Sequence, residues 1–168
     1  SGSLRDCQIY NNTFYNSLPD GGNLWLYDHY PGIGFRNNVF VYHGALVSEG
    51  QDLWEEVFES NLYWNLKGES SFMGYESLEQ WSEFSGKERV QGRFLGHYAD
   101  PMLSPFLEIN DPSKIDPGTF TGFRPGAGSP LIDQGLDLKA MLGLDPGIRD
   151  LCGTPVPQGL QYDIGALE

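Results

Sequence analysis

Two carboxylates and a histidine are the residues of this chain whose types fit acid–base chemistry on a sugar. Asp28 and Glu49 would serve as the acid and the base for cleavage of a glycosidic bond, and His29 is a candidate proton-transfer group. The sequence therefore predicts a candidate catalytic group. Four aromatic residues form the predicted substrate-binding surface beside it: Trp25, Tyr27, Tyr30 and Tyr75.

The orientation of this surface rests on strand alternation. If Leu24 and Leu26 point inward, Trp25 and Tyr27 point outward, because successive side chains of a strand face opposite sides. Aromatic rings in that position could stack on sugar rings. The alternative is that these aromatics pack beneath loops and that the carboxylates are solvated, as isolated carboxylates on an acidic protein usually are.

A repeat centred on asparagine is the feature that would position these residues. Segments 9–15, 35–41 and 58–64 align on Asn12, Asn38 and Asn61, and each has an apolar residue three positions before the asparagine and an aromatic one two positions after it. Spacings in this range mark stacked structural repeats. Asparagine tolerates the left-handed conformation of a sharp corner, and equivalent asparagines one strand spacing apart can bond one another. The pattern predicts a structural asparagine ladder; the alternative is three unrelated turns.

Short β-type runs between turns complete the fold prediction, which is an all-β, right-handed parallel β-helix of about three coils. Residues 1–3 are interpreted as a tag remnant and residues 4–76 as the coils. Residues 77–97 are predicted to form a helix and a connection: Ser77 and Gln80 fit a capping box, Trp81 and Phe84 its buried face, and Gly86 its C-cap. Residues 98–168, rich in proline and glycine, are predicted to cap the same domain.

Several motifs of the tail resemble the closing segments of bacterial parallel β-helix proteins of the pectin-lyase-like superfamily. The motifs occupy residues 98–103, 128–135, 150–155 and 162–168, and residues 61–64 followed by the helix are similar to the segment that precedes them. Relatives often have an arginine where this chain has Val156, between two prolines. The resemblance implies a carbohydrate-associated protein, secreted or at the cell surface, but no catalytic residue of the family lies in the matching tail.

Composition limits the partners and cofactors. Ten Lys and Arg against 23 Asp and Glu give a net charge of −13, which opposes nucleic acid and anionic membranes because both are bound through cationic side chains. Cys7 and Cys152 match no metal-ligand spacing, and two separate thiols are favoured over a disulfide. No Asp-x-Asp-x-Asp-Gly loop supports calcium, so no metal and no cofactor are predicted, with calcium the one alternative. A polysaccharide is the candidate partner.

Three functional hypotheses remain open from the sequence. The favoured one is the C-terminal part of a carbohydrate-associated β-helix protein, mainly structural, with glycan contact through the surface that contains Trp25 and Tyr27. The second is a small glycoside hydrolase or polysaccharide lyase. The third is an interaction module that forms homo-oligomers through its uncovered N-terminal coil, since an unpaired strand edge invites further pairing.

Overall fold

The repeats become short strands in the computed structural model, which describes residues 5–16, 24, 31–47, 53, 55–104, 116 and 122–168. Two helices accompany them: α1 (Leu78–Ser85) and α2 (Leu138–Leu142). The strands are β1 (Gln8–Tyr10), β2 (Thr13–Tyr15), β3 (Gly34–Arg36), β4 (Val39–Tyr42), β5 (Val57–Glu59), β6 (Leu62–Asn65), β7 (Arg89–Val90), β8 (Arg93–Phe94) and β9 (His97–Tyr98).

Each repeat contributes one strand before its asparagine and one after it. The strands before the asparagines form a parallel sheet in the order β1-β3-β5, and those after them a parallel sheet in the order β2-β4-β6-β9. The registers pair Ile9 with Phe35 and Phe35 with Phe58, so the repeats stack level by level. Strands β7 and β8 pair separately as an antiparallel hairpin.

The fold-class prediction of a right-handed parallel β-helix is corrected by this topology. The described residues form two short parallel sheets and one antiparallel pair, with two helices rather than one, and no closed solenoid is found among them. The third strand expected in each coil is represented in the described part only by an isolated parallel bridge between Leu24 and Val47. The described strands, of two to four residues each, therefore form short parallel sheets without a continuous coil.

Aromatic rings fill the space between the two parallel sheets. Phe35 stacks on Phe58 with ring centroids 4.8 Å apart, and Phe40 stacks on Tyr63 at 5.4 Å. Burial of such rings is the main apolar contribution to stability, because each removes a large area from water. Trp81 of α1 packs against this cluster, and its ring centroid lies 6.1 Å from that of Phe58.

Helix α1 follows its predicted caps. The Ser77 hydroxyl accepts a hydrogen bond from the main-chain N–H of Gln80 at 3.1 Å, and Gly86 ends the helix with φ +73°. The predicted N-cap Ser77 and C-cap Gly86 are therefore confirmed. The predicted capping box is not complete, because Gln80 Oε1 accepts from the main-chain N–H of Glu76 and not from that of Ser77. The predicted buried face is only half right, because Trp81 is buried whereas Phe84 is 78% exposed.

The tail lies along the outer side of the repeats. Leu131 and Ile164 pack with Val39 and Leu62 in a second buried cluster, and the main-chain N–H of Gly165 donates to Asn37 at 2.9 Å. Neither cysteine forms a disulfide, and both are half-buried. Within the described ranges, no helix combines the length and apolarity needed to cross a bilayer.

Candidate functional site

The predicted carboxylate and aromatic surface falls almost wholly outside the described residues. Six of its residues lie outside the described ranges: Trp25, Tyr27, Asp28, His29, Tyr30 and Glu49. Tyr75 is described, and its main chain exchanges two hydrogen bonds of 2.9 Å with Phe72 while its ring lies 5.6 Å from Phe84. A substrate-binding role for Tyr75 and the catalytic roles of the others stay predictions.

The predicted asparagine ladder lies within the described repeats. Asn38 Oδ1 accepts hydrogen bonds from Asn12, through its main-chain N at 3.1 Å and its Nδ2 at 3.2 Å. Asn61 Oδ1 accepts the same pair from Asn38, at 2.9 and 3.1 Å. The three asparagines therefore stand one above another, and every step uses the same two donors and one acceptor.

A left-handed residue before each asparagine sets this geometry. Asn11, Asn37 and Ser60 have φ values of +53°, +50° and +57°. This conformation turns the chain sharply between the two strands of a repeat. Since the turn recurs in each repeat, the side chain of the asparagine that follows it enters the corner in the same orientation each time.

Glu88 closes one end of the ladder. Its carboxylate accepts the main-chain N–H of Asn61 at 3.1 Å, Asn61 Nδ2 at 2.8 Å and the Tyr63 hydroxyl at 2.6 Å. Gly96 stands beside Asn61 in register, since Leu62 pairs with His97. A Cβ on Gly96 would lie 2.9 Å from Glu88 Cβ and Cγ, so the glycine leaves room for this carboxylate.

The electrostatics of Glu88 follow from its complete burial. Desolvation raises the pKa of its carboxyl to about 7, although the hydrogen bonds from Tyr63 and Asn61 act in the opposite direction. Desolvation and the neighbouring Glu88 charge raise the pKa of Tyr63 as well. Tyr63 therefore stays a neutral hydroxyl that donates to the carboxylate.

The other end of the ladder is open. Asn12 donates to Asn38 and to the carbonyl oxygen of Tyr10, but no described residue donates to Asn12 Oδ1. Phe14, stacked 5.0 Å from Phe40, leaves its outer ring face uncovered and is 41% exposed. Among the described strands, β1 and β2 are the terminal strands of their sheets.

Main-chain groups of this edge alternate between the sheet and the open side. Cys7 accepts from Gly34 at 2.9 Å and Asn11 donates to Arg36 at 3.2 Å, so the main-chain groups of Gln8 between them face away from β3. By the same alternation, the Thr13 main-chain groups face away from β4. We call β1, β2 and Asn12 between them the open edge.

The residues before the asparagines form a second column that meets the tail. Asn37 Nδ2 donates to the carbonyl of Leu136 at 3.0 Å, and the Leu136 N–H donates to Asn37 Oδ1 at 2.8 Å. Ser60 donates to Gln134 at 3.1 Å. Asn11, the third member, has a buried Oδ1 with no hydrogen-bond partner in the described structure.

A cavity of about 260 Å³ separates Asn11 from the tail. Two tyrosines, Tyr10 and Tyr162, contribute to its lining. Asp150, Asp163 and Glu168 also line it, but their oxygens accept main-chain N–H groups of the tail, as in the 2.7 Å bond from Thr154 to Asp150. Burial raises the pKa of Asp163 and of Glu168. These carboxylates therefore hold the tail loops together.

Two arginines of the tail donate hydrogen bonds to main-chain oxygens. Arg124 Nη1 donates to the main-chain oxygen of Glu168 at 2.9 Å, and Arg149 donates to the carbonyl of Gly153. In the described ranges, no group of three or more His, Cys, Asp or Glu side chains is arranged to hold a metal ion. Comparison of the chain with protein-family models, curated proteins and solved structures found no match.

The sequence contained one signal for Glu88. It follows Asn61 by 27 positions, close to the spacings of 26 and 23 within the ladder. The aromatic residue two positions after each asparagine is replaced by Val90, and a hairpin intervenes before the next paired strand, β9. Spacing alone could have identified the closing residue, whereas the residue pattern could not.

Proposed function

We propose that the protein is a structural interaction module that pairs with a further parallel strand pair along its open edge. The observation that carries this proposal is the asymmetry of the ladder, which Glu88 closes at one end and which leaves Asn12 Oδ1 open at the other. Addition of strands to an exposed edge is an established mode of protein recognition, in which main-chain hydrogen bonds supply affinity and side-chain contacts supply specificity.

Three properties of the open edge support this proposal. It offers unpaired main-chain groups at Gln8 and Thr13, and an exposed aromatic face at Phe14. It also lacks a lysine within β1 and β2, although charged side chains are a common protection of edge strands. An edge of this composition favours pairing with another segment.

A peptide made from the chain's own second repeat tests the proposal. Residues 33–42, extended by two lysines for solubility, would be titrated into the full-length protein and followed by fluorescence anisotropy. We expect saturable binding, with amide chemical-shift changes at Gln8 and Thr13. A scrambled peptide of the same composition controls for attraction of lysine to the acidic protein.

A second variant separates the edge from the rest of the surface. Phe14→Lys removes the exposed ring and adds an edge charge, so it should weaken peptide binding, whereas Phe84→Lys changes an equally apolar but distant exposed ring and should not. Absence of binding at peptide concentrations near 1 mM, with both proteins folded by circular dichroism, would refute strand pairing at this edge.

Glycan binding is a second candidate function, and the cavity beside Asn11 favours it. Tyr10, Tyr162 and Asn11 line this cavity, and aromatic rings and amides commonly contact neutral sugars. Titration with neutral and acidic oligosaccharides should shift the amide signals of Asn11 and Tyr162 rather than those of the open edge. Unchanged spectra across the panel would remove this candidate.

The enzymatic alternative has its own readout. A glycoside hydrolase would release reducing ends from polysaccharides and a lyase would form unsaturated products. Loss of such products in Asp28→Ala or Glu49→Ala would support catalysis by the predicted carboxylates. A purely structural module yields no product from any polysaccharide.

A further inference from the structure

We infer that the open edge selects a strand pair with asparagine at its corner and an aromatic residue two positions later. This inference rests on the proposed function and names the chemistry of the partner. The two existing steps of the ladder show the contacts that such a partner would repeat. In each step the Oδ1 of one asparagine accepts hydrogen bonds from both the main-chain N–H and the side-chain amide of a neighbouring asparagine. Asn12 Oδ1 presents that acceptor again.

The donor requirement excludes most other corner residues. Asn38 Nδ2 and Asn61 Nδ2 each donate a second hydrogen bond, to the main-chain oxygens of Ile9 and Phe35, besides the bond along the ladder. Serine and threonine have a single hydroxyl donor and cannot supply both bonds, and ionised aspartate has no side-chain donor. Glutamine has the amide but one more methylene, which moves its nitrogen away from its own main-chain N–H. Asparagine alone supplies both donors with the spacing found at Asn12 and Asn38.

The neighbouring columns extend the requirement on both sides of the corner. Phe14, Phe40 and Tyr63 stack with interplanar angles of 6° and 9°, and the outer face of Phe14 continues that stack. Ile9 begins the column of Phe35 and Phe58. A partner with an apolar residue three positions before its asparagine and an aromatic two positions after it would extend all three columns.

A second copy of the chain fits this edge poorly. Two open edges brought together would each present Asn12 Oδ1, an acceptor facing an acceptor. Each copy also has a net charge of −13, which opposes self-association. The partner chemistry is therefore a separate asparagine-cornered segment approaching in parallel, and the copy–copy dimer is an outcome of the test below.

Substitutions in the peptide of residues 33–42 test the selection. Asn38→Ala in the peptide removes the side-chain amide, and we expect affinity for the protein to fall about tenfold or more. The matched control is Asn37→Gly, which keeps the left-handed corner next to it and should bind within about threefold of the parent peptide, since glycine suits a positive φ.

The possible results separate the inference from the proposed function. Equal affinity of the parent and Asn38→Ala peptides overturns asparagine selection and leaves strand pairing intact. An equal loss for Asn37→Gly also overturns it, because that peptide keeps the corner asparagine and the left-handed residue beside it. No binding of any peptide overturns both. A dimer in sedimentation equilibrium that Phe14→Lys dissociates would assign the edge to a second copy and refute the separate partner.

Discussion

Titration of Glu88 gives the most specific test of how the ladder is held together. In the unfolded chain this carboxyl has its ordinary pKa of 4.5, whereas burial raises the pKa to about 7 in the folded protein. Between these values the folded protein retains a proton that the unfolded chain has lost. Stability contributed by this group is therefore complete below pH 4.5 and declines as the pH rises to about 7.

The size of the effect follows from the two pKa values. Each pH unit between them costs about 1.4 kcal/mol, so the folded protein loses about 3 kcal/mol between pH 4.5 and pH 8 through Glu88. Asp163 and Glu168, whose pKa values are also raised by burial, contribute in the same direction. A difference between variants is therefore needed to isolate Glu88.

Glu88→Gln supplies that difference, because glutamine resembles the protonated carboxyl in shape and cannot ionise. Urea unfolding at pH 5 and at pH 8 should show a loss of stability in the unmodified protein that is about 2–3 kcal/mol larger than in Glu88→Gln. The exposed Glu83→Gln in α1 is the control and should retain the original pH dependence. Equal losses of stability in Glu88→Gln and in the unmodified protein between these pH values would refute a raised pKa for Glu88 in the folded state.

Three further substitutions test the packing around the ladder and the tail, two by urea unfolding and one by limited proteolysis. Asn37→Ala should lower the free energy of unfolding by about 3 kcal/mol, because it leaves the main-chain groups of Leu136 unpaired and places alanine at φ +50°. Asn37→Gly should lower it less, because glycine adopts this φ without strain. Identical urea midpoints for the two variants would contradict the strain contribution. Gly96→Ala should cost about 1–3 kcal/mol by pressing on Glu88, and an unchanged midpoint would contradict this. Gly135→Ala places Cβ 2.7 Å from two tail carbonyl oxygens, so it should expose the tail to limited proteolysis, and an unchanged cleavage rate would contradict that packing.

The repeat was readable in the sequence because corner chemistry is local. Asparagine in and beside a left-handed turn has few substitutes, so Asn12, Asn38 and Asn61 marked their own alignment. The caps of α1 were readable for the same reason. Closure into a β-helix was not determined locally, because it depends on a third strand per repeat, and Leu24 with Val47 is the one such bridge in the described residues.

Other features depend on tertiary packing that no local pattern contains. The contact between the repeats and the tail joins Asn37 to Leu136, which are 99 positions apart in the sequence. Phe84 is exposed although its helical spacing from Trp81 predicts that both rings lie on the buried face. Both outcomes depend on which surface the neighbouring segment covers. The predicted carboxylates Asp28 and Glu49 lie outside the described residues, and their chemistry stays a prediction.

The chemistry of the amide fixes the direction in which this stack of strands can continue. Each asparagine donates two hydrogen bonds to the next level, and Asn38 and Asn61 each accept two from the level before, so a ladder of asparagines has an acceptor end and a donor end. A carboxylate accepts donors and offers none when ionised, which makes Glu88 a terminator of the donor end. No comparable group meets Asn12 among the described residues. Because only the acceptor end lacks its partner, further strands should be added beside β1 and β2 and not beyond Glu88.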